Sequence, residues 1–81
     1  MYNTYVLKSI SHGNRYVGST EDLKSRIVEH NKGRCRYTKG RIPWTLIYSE
    51  EFSTLSEARK RELFLKSGKG REFLDKILAN K

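Results

Sequence analysis

The sequence predicts an α+β fold: a small, mainly antiparallel three-stranded sheet flanked by helices, in the order ββαβαα. Strand-like runs rich in Tyr, Val, Leu and Ile alternate with helical runs that open on capping residues. A turn of residues that tolerate positive φ joins the first two strands, which makes that pair antiparallel. The 81 residues form one domain, 1–81, because neither half would bury enough surface alone.

Residues 2–10, YNTYVLKSI, read as the first strand. His12-Gly13-Asn14 supplies the turn, and Arg15-Tyr16-Val17-Gly18 is the returning strand. Ser19-Thr20-Glu21-Asp22 is a helix start, its carboxylates suited to the positive end of the helix dipole. That helix runs to about Asn31 and stops at Gly33. Residues 32–43 are a cationic loop closed by Pro43. Trp44-Thr45-Leu46-Ile47-Tyr48 is apolar enough to lie centrally in the sheet. Thr54-Leu55-Ser56-Glu57 has capping-box spacing and opens a second helix to about Ser67. Gly68-Lys69-Gly70 breaks it, and Arg71 to Leu78 forms a short terminal helix.

Seventeen Lys and Arg against nine Asp and Glu give a net charge of +8, a field that calls for a polyanionic partner. Nucleic acid comes first and an anionic membrane second, but no basic helix carries a clean apolar face apart from the core. The remaining reading is that the charge only keeps a small domain in solution. One cysteine, Cys35, and two histidines leave little for a zinc cluster, so any metal is expected to be a hard cation held by carboxylate and phosphate. No apolar run approaches the roughly 20 residues of a membrane span, and MYNTYVLKS has no signal-peptide pattern, so a cytoplasmic location is expected.

Charged residues sit where core residues belong. Positions 23, 26, 27 and 30 share one face of the first helix; Leu23 and Ile27 anchor it, while Arg26 and His30 interrupt it. Arg26 either snorkels outward or meets an anion, and His30 either packs as a buried imidazole or serves a site. On the second helix Glu62 lies between Ala58 and Leu65, the residues of the packed face. It is either paired within the fold or free to take a metal. Two helices that each place a charge at the core boundary favour function. Tyr5 and Tyr16 lie on the paired strands, where a single tyrosine is usually a core residue, and the tight turn can bring the two near each other across the pair.

Tyr5, Tyr16-Val17-Gly18, Arg26, His30 and Glu62 resemble the signature of the GIY-YIG nuclease family. Asn3-Thr4-Tyr5 stands at the first triplet, with its tyrosine kept and its glycine and isoleucine replaced. The stretch Gly18 to Arg26, ending in Glu29-His30-Asn31, is the most diagnostic, and Ser56-Glu57-Ala58 with Glu62 and Lys66 resembles the family's glutamate helix. The likeness covers roughly residues 2–75 and is nearest to short stand-alone members. Several family nucleases carry a later asparagine; residues 67–79 contain none, which leaves that role vacant or to Lys66.

The resemblance implies a metal-dependent endonuclease that hydrolyses phosphodiester bonds, with DNA the expected substrate, selected by structure rather than sequence, as in repair or recombination. Tyr5, Tyr16, Arg26, His30 and Glu62 would form the catalytic set, with Glu62 holding Mg2+ or Mn2+. Arg26 would stabilise phosphoryl charge, Tyr5 would be the general base, its pKa lowered by Arg26 and the metal, and Tyr16 would orient the water or Tyr5. His30 would hold a phosphate or share the proton transfer. Lys32, Arg34, Arg36, Lys39 and Arg41 of the loop, with Lys66, Lys69 and Arg71, are expected to bind the backbone, and Tyr37 to stack on a base. A protein partner or a second subunit is expected to add selectivity. The competing readings are a nucleic-acid-binding module that retains the fold without turnover, and a basic ribosome-associated protein, which leaves Glu62 unexplained.

Overall fold

The computed structural model describes residues 1–79. Its elements are β1 (Tyr2–Ser9), β2 (Arg15–Thr20), α1 (Leu23–Asn31), β3 (Trp44–Phe52), α2 (Leu55–Lys66) and α3 (Gly68–Leu78), with a short 3-10 turn at Lys39–Arg41. The sheet order is β2-β1-β3, antiparallel throughout.

The central strand is therefore β1, and the expected central place of residues 44–48 is corrected. The reason lies in the faces. Thr4, Tyr5, Val6 and Leu7 are all buried, so β1 is covered on both sides. Tyr5 and Leu7 pack with Trp44 and with Leu23 and Ile27 of α1. Val6 points the other way, to Val17, Leu65 and Leu74 beneath α2 and α3. β3 is an edge strand with Thr45 and Leu46 exposed, and it extends to Phe52 because it pairs with the full length of β1. An apolar run cannot distinguish these places by itself.

Two helix boundaries also move. Ser19 and Thr20 continue β2 opposite Thr4 and Asn3, and α1 is capped by Asp22, which accepts from the Ser25 amide at 3.2 Å. The predicted break at 68–70 is the first turn of α3; only Ser67 interrupts the helical run, and it caps α3 through the Gly70 amide at 3.2 Å. At Thr54 the expected cap is present, accepting from the Glu57 amide at 3.2 Å. Gly13 and Gly33 have φ of 78° and 76°, as the hairpin turn and helix stop require. Among the described residues no helix is long and apolar enough to cross a membrane.

Candidate active site

A cavity of about 380 Å³ opens where β2 forms the edge of the sheet, and Tyr5, Tyr16, Arg26 and Glu62 all line it. They reach it from both faces. Tyr5 lies opposite Gly18, and Tyr16 is two residues back on β2, so both rings share the α1 face with Arg26. Ser19, next in β2, turns to the other face and donates to Glu62 Oε1 at 2.6 Å. The edge strand thus brings together groups that its two sides would otherwise separate.

Gly18 makes this possible. A Cβ there would stand 2.6 Å from Tyr5 Oη and 2.8 Å from its Cζ. Tyr5 is 1% exposed and has nowhere to retreat. Gly18→Ala is therefore expected to displace the phenol and lower any Tyr5-dependent rate by on the order of tenfold, read as turnover in a protein that still gives dispersed amide NMR signals.

Behind the cavity a polar chain fixes Tyr5. Thr38 Oγ1 donates to the Cys35 carbonyl at 3.3 Å, which leaves it to accept from His30 Nδ1 at 2.8 Å. His30 Nε2 then carries no proton and accepts from the Tyr5 hydroxyl at 3.0 Å. Trp44 Nε1 holds the Thr38 carbonyl at 2.9 Å. His30 is fully buried and lies outside the cavity wall, with both ring nitrogens engaged, so the structure places it behind Tyr5 rather than against a phosphate. Burial, with the charge of Arg26, keeps its pKa below the usual histidine value, and the ring is neutral at neutral pH.

Burial also decides the state of Tyr5. Its pKa is pushed up to about 12, against the opposing pull of Arg26. Arg26 lowers the pKa of this phenol, as expected, but desolvation of the buried ring outweighs the half-exposed guanidinium. Arg26 interacts with the Tyr5 hydroxyl, makes a loose contact with Glu29 at 3.8 Å, and keeps guanidinium donors on the cavity for an anion.

Glu62 is ionised. Burial would raise its pKa, but hydrogen bonds from Lys66 and Ser19 and the charges of Lys66 and Arg59 outweigh that and hold it below the ordinary carboxylate value. Lys66 Nζ lies 2.7 Å from Oε2. Among the described residues no group of three or more His, Cys, Asp and Glu is placed to hold a metal. The donors present fit a hard cation that takes one carboxylate and completes its shell with water and phosphate, as magnesium does. They do not fit zinc.

The cationic loop is anchored from within. Thr38 is buried, and the Asn31 side chain pairs with the Trp44 backbone, accepting from its N–H at 2.7 Å and donating to its carbonyl at 3.0 Å. Lys32, Arg34, Arg36, Lys39 and Arg41 are left exposed, as are Lys66, Lys69 and Arg71. Tyr37 stands out from the loop, 74% exposed, with its ring centroid 5.8 Å from that of Tyr16. Arg61, by contrast, belongs to the fold: it bonds Glu50 at 3.0 Å and covers the rings of Phe64 and Phe73.

Ser19 and Thr38 join the site without belonging to the pattern of charged and aromatic residues in the sequence. Strand alternation beyond Gly18 is the sequence signal for Ser19; Thr38, in a loop, carries none.

The model of the GIY-YIG catalytic domain matches residues 1–74. The chain is 43% identical over 67 residues to the UPF0213 protein VNG_2274C of Halobacterium salinarum, covering 82% of this chain and 86% of that protein. It is 44% identical over 64 residues to the UPF0213 protein SSP2268 of Staphylococcus saprophyticus, covering 78% and 77%. The solution NMR structure of the UPF0213 protein BH0048 from Bacillus halodurans is similar with a TM-score of 0.57 and 32% identity, over 95% of this chain and 85% of that one. With its fold, its cavity and these relatives in agreement, the chain belongs to the GIY-YIG catalytic domain family.

Proposed function

We propose that this protein is an endonuclease that hydrolyses phosphodiester bonds in nucleic acid, with DNA of irregular structure as the preferred substrate and a divalent cation on Glu62. The observation that carries this reading is the meeting of Tyr5, Tyr16, Arg26 and an ionised Glu62 on one open cavity in a chain of net charge +8. A carboxylate facing a polyanion hinders plain binding and is useful for holding a cation. When bound, magnesium or manganese would neutralise charge on the phosphate and on the leaving oxygen.

The chain's own residues supply the rest. Arg26 receives the non-bridging oxygens, where its planar donors match the charge that grows as water attacks. Tyr5 takes a proton from that water while passing its own to His30 Nε2 along the existing 3.0 Å bond. Transfer through a neutral phenol suits a group whose pKa is about 12, because no phenolate need accumulate. Tyr16, against both His30 and the cavity, orients this pair.

This relay needs a neutral His30, so activity is expected to hold as pH falls to 6.5 and to decline only below it, through the lowered pKa of His30. A single-turnover pH profile tests this; an acid limb centred above 6.5 contradicts it. Five loop cations on a single strand should give about a hundredfold loss of affinity between 50 and 200 mM salt, read by fluorescence anisotropy. The function itself is tested by incubating the protein with single-stranded, flapped and branched DNA in magnesium. Cleavage that disappears in Arg26→Ala while binding persists supports it; binding with no cleavage by the unaltered protein would leave only a binding module.

A further inference from the structure

A second groove, of about 800 Å³, adjoins the cavity with Tyr16 as the shared wall. Its floor is Leu65 and Leu74, and its sides carry Tyr37, Lys66 and Arg71. From these features we infer that it receives an unpaired nucleobase one step from the phosphate held in the cavity. The inference rests on the proposed nuclease reading for the place of that phosphate and extends it to the form of the substrate.

Each wall matches one part of a nucleotide. Tyr37 leaves most of its ring open to solvent, although Tyr16 supports one side of it. An exposed, braced aromatic is a stacking platform, and every base has a face to lay on it. The apolar floor accepts the far side of the base, while Arg71 offers positive charge to the flanking phosphate and Lys66, held by Glu62, marks the border with the cavity. Arg15 is already paired with Asp75 at 2.8 Å and Lys66 with Glu62 at 2.7 Å, so among the described residues the groove's cation outside an ion pair is Arg71. The volume lies within the roughly 300–1,000 Å³ typical of small-ligand pockets. Continuity matters most: Tyr16 faces both spaces, so a strand crossing the cavity has its next base beside the groove.

A base within an intact duplex reaches such a groove only by leaving its stack, whereas a bulged or single-stranded base is already free. The structure thus assigns substrate choice to an unpaired nucleotide beside the cut.

The test is equilibrium binding in EDTA, which reads the groove whether or not the cavity turns over. The probes are a continuous DNA duplex and the same duplex with one bulged 2-aminopurine. The bulged duplex is expected to bind about tenfold more tightly, with quenched 2-aminopurine emission, and Tyr37→Ala is expected to abolish both effects. Tyr37→Trp, which keeps a platform, should restore them. Equal affinity for the two duplexes, or a bulge preference that survives Tyr37→Ala, overturns the inference. Cleavage in magnesium is scored separately, so a bulge preference without cleavage defeats the nuclease reading and leaves the groove standing.

Discussion

Glu62→Gln is expected to slow strand cleavage in magnesium by about a hundred- to a thousandfold, the range seen when one preorganised charge-stabilising group is lost. The substitution keeps the side chain's shape and an oxygen that can accept from Ser19, whose bond to Glu62 is 2.6 Å. It removes the negative charge. Affinity for DNA should hold or rise, because a carboxylate facing phosphates no longer repels them. Stability should change little: the Lys66 pair is an i,i+4 contact with Lys66 half exposed, worth about 0.5 kcal/mol. Single-turnover rates, anisotropy and urea unfolding separate these effects. A rate within tenfold of the unaltered protein, or a stability loss of several kcal/mol with no specific effect on rate, makes Glu62 a structural residue.

Gly70→Ala should damage the fold more than any other single-methyl change considered. A Cβ at this position would overlap the Phe64 carbonyl oxygen and stand 2.5 Å from Leu65 Cα. Both are backbone atoms of α2, so no side chain can swing aside. The glycine lets α3 turn back directly after Ser67, which places Leu74 against Leu65, each only 1% exposed. An alanine must push α3 outward and open that contact. The expected loss is about 3 kcal/mol or more, near the upper end for overpacked cores, and urea unfolding measures it. Gly68→Ala is the control, because nothing lies within 4 Å of a Cβ there. Equal stability of the two variants would show that the helix junction accommodates the methyl group.

Gly70 marks the limit of the sequence reading. A Gly-Lys-Gly run looks like a helix breaker, and only the approach of two backbones makes it the start of a helix. The hairpin turn, the Thr54 cap and the α1 stripe were legible because each depends on neighbours in sequence. Strand order was not, since which strand is covered on both faces depends on where the helices settle. At the cavity, the polar interruptions Arg26 and Glu62 were visible as misfits against a packing pattern. The pKa of Tyr5 was beyond reach, because it depends on a burial that no spacing encodes.

The central claim is that one cation and one phosphate meet between Tyr5, Tyr16, Arg26 and Glu62. Titrating the protein with Mn2+ beside a phosphorothioate oligonucleotide, and following paramagnetic broadening of its amide NMR signals, tests this most directly. The signals of Tyr5, Ser19, Arg26 and Glu62 should broaden first and together, and Glu62→Gln should prevent it. Broadening confined to other parts of the chain, with those four signals left sharp, contradicts the account.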